Sequence, residues 1–157
     1  MGSGSEIKRL YGAYIGSSNI RQIALPVAIS PLLTANVAGA TYGAWVDIAL
    51  LATITLESLV VAVVPTALSA ADEYTIDIGT TYVNGVFYAN AAAVIAAGAA
   101  VIAAAHRAEV RVEATGLPVP LQNPVYIPVG AGVIGRCYGI TAVAVTIRAS
   151  IVLLQRF

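Results

Sequence analysis

The chain has 157 residues, 59% of them hydrophobic and 10% charged, and its 8 basic and 8 acidic side chains leave no formal net charge. A soluble monomer carries about 25% charged residues, so this surface needs covering by other subunits or by lipid. The balanced charge gives no sign of a polyanion-binding surface, so nucleic acid is not expected as the main partner, and the single cysteine, Cys137, excludes an intrachain disulfide or a cysteine-based metal site.

Residues 1–20 read as an extended arm ahead of one domain, 21–157. Glycine, serine and asparagine are frequent there, and Met1–Ser5 (MGSGS) has the composition of a flexible tail or an added tag. Leu10, Tyr11, Tyr14 and Ile15 place four large apolar groups in six residues, more than a disordered tail carries. They are the expected docking residues of the arm, on its own domain or on a neighbour.

Residues 21–33 read as an edge or bent strand broken by Pro26 and Pro31, since proline removes a ladder donor. Ala44–Ile48 is a short strand, and Trp45 within it is a core or interface anchor. Residues 53–64, rich in Thr and Val, form a strand that Pro65 is expected to end, followed by a polar loop or short helical turn at 66–73. Tyr74–Ile78 alternates apolar and polar and closes at Gly79, and Asn84-Gly85 between apolar neighbours signals a hairpin.

No Asp, Glu, Lys or Arg occurs from Ile78 to His106, and residues 86–105 are long enough to cross a bilayer. The stretch is mostly alanine, which contributes little to insertion, so a membrane anchor is the weaker reading. Within it, 90–105 fits either a helix with Asn90 as N-cap or short buried strands, and strand–loop–strand is expected from the flanking strands.

Residues 106–114 give the clearest strand. Arg107, Glu109, Arg111 and Glu113 share one face, which is solvated or pairs across strands, while Ala108, Val110, Val112 and Ala114 share the other. Gly116, Pro118, Pro120 and Pro124 mark an extended loop, and two or three strands between 133 and 155 complete the chain. Eight or more short strands separated by turns predict an all-β fold, an antiparallel β-sandwich or jelly roll.

Motifs for chemistry are sparse. His106 is the only histidine, and its expected role is surface exposure or ion pairing. Gly130–Gly135 fits GxGxxG but leads into a β-rich segment rather than a helix, which removes the dinucleotide reading. Asp72, Glu73 and Asp77 lack the spacing of a calcium loop, so ordinary loop charge, with Asp77 pairing an arginine, is expected. Cys137 reads as a buried hydrophobe. No cofactor, no metal and no catalytic set is expected, and the chain is read as a non-enzyme.

Gly43–Ile48 (GAWVDI), Tyr74–Gly79 (YTIDIG), Val125–Gly130 (VYIPVG) and Ile134–Cys137 (IGRC), followed by an alternating C-terminal strand, resemble small virion proteins of tailed bacteriophages. The resemblance spans roughly residues 40–155; Ala131-Gly132 and the alanine-rich stretch at 89–105 depart from its pattern. It implies a β-sandwich capsid decoration, or cement, protein located in the virion. Such a protein forms a homo-oligomer, with a trimer favoured, binds the major capsid protein or another virion protein, and clamps neighbours with its arm. A self-assembling extracellular filament or surface-layer subunit is the alternative from composition, a membrane protein anchored by residues 86–105 a second, and an enzyme or carbohydrate-binding module on a β-sandwich a third.

Overall fold

The computed structural model describes residues 20–25, 31–36, 39–49, 54, 56–142 and 144–156. Among the described residues, eleven strands, all paired antiparallel, and two short helices follow in order: β1 (Ile20–Leu25), β2 (Leu32–Thr34), β3 (Val46–Ala49), β4 (Ser58–Leu68), β5 (Tyr74–Thr80), β6 (Tyr82–Val83), β7 (Val86–Phe87), α1 (Ala91–Ala96), α2 (Ala99–Ala104), β8 (His106–Val112), β9 (Val119–Ile127), β10 (Val133–Gly139) and β11 (Thr146–Arg156).

One sheet runs β1–β11–β4–β9, with β2 also on β11; the second runs β3–β10–β5–β8, and β6–β7 form a separate hairpin. With β1 and β2 as one interrupted strand, this is the eight-strand order of a jelly roll. The expected all-β sandwich is what the chain forms. The arm residues Leu10, Tyr11, Tyr14 and Ile15 lie outside the described residues.

The core lies between the sheets. Tyr74, Ile76 and Ile78 of β5 face Val60 and Val63 of β4, and Ile147, Ile151 and Leu153 of β11 close the layer, all at 0% exposure. Cys137 lies in this core as expected, and burial pushes its thiol pKa up to about 12.

Three expectations need correction. Pro65 does not end a strand: β4 continues to Leu68, because Pro65 faces Ala149 where the register shifts, so its missing N–H costs no regular ladder bond. The proline-rich stretch expected as a loop contains β9, with Pro120 and Pro124 inside it. As the sheet's edge, β9 pairs with β4 alone among the described residues and tolerates missing donors. Residues 91–104 are helical, not strand–loop–strand. Asn90 caps α1, its Oδ1 accepting from the Ala93 N–H at 2.9 Å, and Gly98 at φ +105° divides the run into two six-residue helices. Alanine's helix preference outweighs the strand context here.

The hairpin signal holds. Asn84 (φ 50°) and Gly85 (φ 81°) are both left-handed, the geometry of a type I′ turn joining β6 and β7. Residues 86–105 thus form a two-residue strand and two short helices, and among the described residues no helix is long and apolar enough to cross a membrane.

Candidate functional site

Among the described residues, the outer face of the β3–β10–β5–β8 sheet holds a cluster of polar side chains. Strand alternation sends Ile76 and Ile78 inward and Thr75, Asp77 and Gly79 outward. Register then sets Arg136 of β10 and Glu109 of β8 on either side of Asp77.

The insertion between β5 and β8 packs on part of this face. Val83, Ala91, Val94 and Ala105 pack with Trp45 and Ile134 into a second, smaller core. Trp45, 3% exposed, donates its indole N–H to the Ile102 carbonyl at 2.9 Å. Asp47 Oδ1 accepts from the Ala91 N–H at 2.8 Å, tying the start of α1 to β3. Gly79 is where the insertion comes closest: a Cβ there would stand 2.5 Å from the Ala105 carbonyl oxygen and 2.8 Å from the Trp45 ring.

Asp77, on the same face, is fully buried. Its Oδ1 hydrogen-bonds His106 Nδ1 at 2.5 Å, and its Oδ2 accepts from Arg136 Nε at 2.8 Å. Burial raises the Asp77 carboxyl pKa above its ordinary value, and His106 and Arg136 offset part of that rise. The Arg136 guanidinium stacks on Tyr42 and Trp45, its central carbon 4.4 and 4.3 Å from the ring centroids. Tyr42 meets Tyr138 edge-on and donates its hydroxyl to Glu109 at 2.7 Å. Burial first, then that bond, raises the Tyr42 hydroxyl pKa well above its usual value.

The four charges expected on one face of residues 106–114 are exposed, and three are engaged within the chain. Glu109 accepts from Tyr42, Arg111 pairs with Glu73 at 2.8 Å, and Arg107 donates to the carbonyls of Ala104, His106 and Tyr82. Glu113 lies beyond the end of β8, beside the β4–β5 connection. Of the acidic cluster, Asp72 receives Thr141 and the Ala142 N–H, Glu73 pairs Arg111, and Asp77 pairs Arg136 as expected. Tyr42 was not singled out by the sequence; its only signal was an aromatic residue in a small-residue loop.

This network is directed at itself. His106 commits Nδ1 to Asp77, Arg136 commits Nε to the same carboxylate, and Arg107 is spent on backbone carbonyls. Among the described residues no group of three His, Cys, Asp or Glu stands close enough to hold a metal ion. Thr75, 2% exposed and adjacent on the same face, has a hydroxyl with no hydrogen-bond partner among the described residues. The arrangement locks the insertion to the sheet.

Beyond it, single large apolar side chains are exposed at both ends of the sandwich. Val86 and Phe87 of the hairpin and Val129 of the β9–β10 turn are about half exposed. Phe87 also stacks on Tyr82 at 4.4 Å and lies beside Gly130. At the opposite end, Leu117 is 77% and Ile140 37% exposed. Compared with family models, with curated proteins and with solved structures, the chain shows no match.

Proposed function

We propose that the chain is a virion structural protein, an oligomeric decoration or cement protein that stabilises a viral shell through apolar contacts between subunits. The observation that carries this reading is the jelly-roll strand order, an architecture used in virus coats, on a chain with only 10% charged residues. Val86, Phe87 and Val129 supply a contact surface of the kind that marks an interaction site. Burying such surface contributes roughly 25 cal/mol per Å² before the costs of association. Leu10, Tyr11, Tyr14 and Ile15 are the residues proposed to dock the arm. The partners are further copies, with a trimer favoured, and another virion protein; no catalysis is assigned.

A self-assembling filament or surface-layer subunit is the second reading. Its specific support is the exposure of Leu117 and Ile140 at the end opposite Phe87, since two different patches joined head to tail give an open polymer.

Detergent-free purification, light-scattering mass and electron microscopy test both. A closed oligomer, a trimer near three times 16.0 kDa, supports the shell reading. Fibres that lengthen with concentration support the filament. A monomer at every concentration overturns both.

A further inference from the structure

The strand β8 is a sheet edge whose charges complement one another in reverse order. In the sheet β3–β10–β5–β8 it stands last, and among the described residues it forms a ladder with β5 alone. Its other side therefore carries a row of backbone N–H and C=O groups with no ladder partner there. β9, next in the chain, packs alongside but belongs to the other sheet. It does not roof the edge: Ala108 and Val110, on the core side of β8, stay partly exposed. Prolines or charges commonly blunt such an edge. β9 carries Pro120 and Pro124, whereas β8 holds no proline. Its outer face instead carries Arg107, Glu109 and Arg111, with Glu113 just past its end, all four exposed. A row of one sign would repel a second copy; this row alternates.

We propose that this edge pairs with β8 of a second copy, antiparallel, about a twofold axis at Val110. The order of the charges selects that register. With Val110 opposite Val110, Glu109 of each copy faces Arg111 of the other and Arg107 faces Glu113, while Ala108 faces Val112 on the core side. A slip of two residues sets Arg107 against Arg111 or Glu109 against Glu113, and like charges directly opposite are unfavourable. A slip of one is incompatible with both copies keeping their apolar residues on the core side. The bonds these side chains make within the chain leave room for the contact. Glu109 accepts from Tyr42, and Arg111, its side chain 71% exposed, donates Nη1 to Glu73. A carboxylate with two oxygens and a guanidinium with five N–H donors each have capacity for a second partner. Arg107 gives both terminal nitrogens to carbonyls of its own chain, so the two central Glu109–Arg111 pairs carry the recognition. The contact is isologous, and it goes beyond the shell reading without depending on it.

The test mixes two variants of the full chain, Glu109→Lys and Arg111→Glu, each first shown to unfold cooperatively, and follows self-association by sedimentation velocity. Alone, each variant sets like charges opposite and is expected to associate about tenfold more weakly than the parent. Mixed, they restore both central pairs, and association returns towards the parent's. Effects within one chain do not depend on mixing, so a mixture that associates no better than its components overturns the proposal. A second measurement needs no charge reversal: disulfide formation under mild oxidation in Cys137→Ala carrying either Val110→Cys or Ala108→Cys. At the proposed register the two copies of position 110 have Cα atoms about 4.5–5.5 Å apart. The two copies of position 108 stand roughly 14 Å apart, beyond the disulfide limit of about 7 Å. A linked dimer forming about tenfold faster or more from position 110 is expected; equal rates, or no linkage at either position, overturn the contact. A closed trimer without linkage at 110 would overturn this contact and leave the shell reading standing.

Discussion

Arg136 and Asp77 face each other across β10 and β5, joined by a 2.8 Å bond from Nε to Oδ2, with Asp77 fully buried and the Arg136 side chain 14% exposed. The same guanidinium lies against Trp45, whose indole holds the insertion through Ile102. One ion pair therefore connects the sheet to the segment folded over it.

Asp77→Ala leaves a largely buried arginine without its carboxylate, which costs about 3–5 kcal/mol. Urea denaturation followed by Trp45 fluorescence is expected to show that loss. Asp77→Asn keeps an acceptor for Arg136 and is expected to lose less. Equal stability of Asp77→Ala and the parent would mean that the ion pair does not hold the fold.

Gly79→Ala places a methyl against the Ala105 carbonyl and the Trp45 ring. Overpacking of this kind costs about 1–3 kcal/mol. The expected signature is local: amide exchange in residues 91–104 accelerates more than exchange in β4 and β11. Uniform acceleration would mean that the insertion and the sandwich open as one unit.

Thr75→Val removes a buried hydroxyl that has no partner among the described residues and keeps the β-branched shape. It is expected to be neutral or to stabilise by up to about 1 kcal/mol. A loss above about 1 kcal/mol in thermal or urea unfolding would show that the hydroxyl is bonded in solution.

Cys137 gives the pH dependence. Its native pKa is raised from 9.0 to about 12 by burial, so its contribution to stability is fully present below the unfolded value and is lost as pH rises towards the native one. Between those values the unfolded chain holds fewer protons, and this thiol alone lowers stability by up to about 1.4 kcal/mol per pH unit. Comparing the parent with Cys137→Ala isolates the slope, which is expected to be shallower in the variant. Labelling of the native thiol at pH 8 is expected only through unfolding.

Elements defined by local pattern were legible in the sequence. The alternation of β5 and β8 and the Asn84-Gly85 turn rest on neighbours within a few residues. Elements that depend on position in the finished sheet were not. Pro120 and Pro124 are tolerable because β9 is an edge, and Pro65 because it faces a bulge, neither of which composition displays. The helices at 91–104 lay in a contest between alanine propensity and strand context that periodicity over six residues does not decide. The network was half legible. That Asp77 would meet an arginine followed from its strand, but His106 is 29 positions away and Arg136 59. Tyr42 reaches Glu109 across 67 positions, with no local signal.

The long separations also bear on how the chain becomes folded. Ser58 of β4 pairs with Gln155 of β11, 97 residues later, and β11 separates β4 from β1. No nearby hairpin can assemble that sheet in stages. Such wide loop closures put small β proteins in the millisecond-to-second range, during which Val- and Ile-rich strands stand open to other molecules. The yield of native protein is therefore expected to depend on how crowded the nascent chains are, with dilution or slower synthesis favouring it.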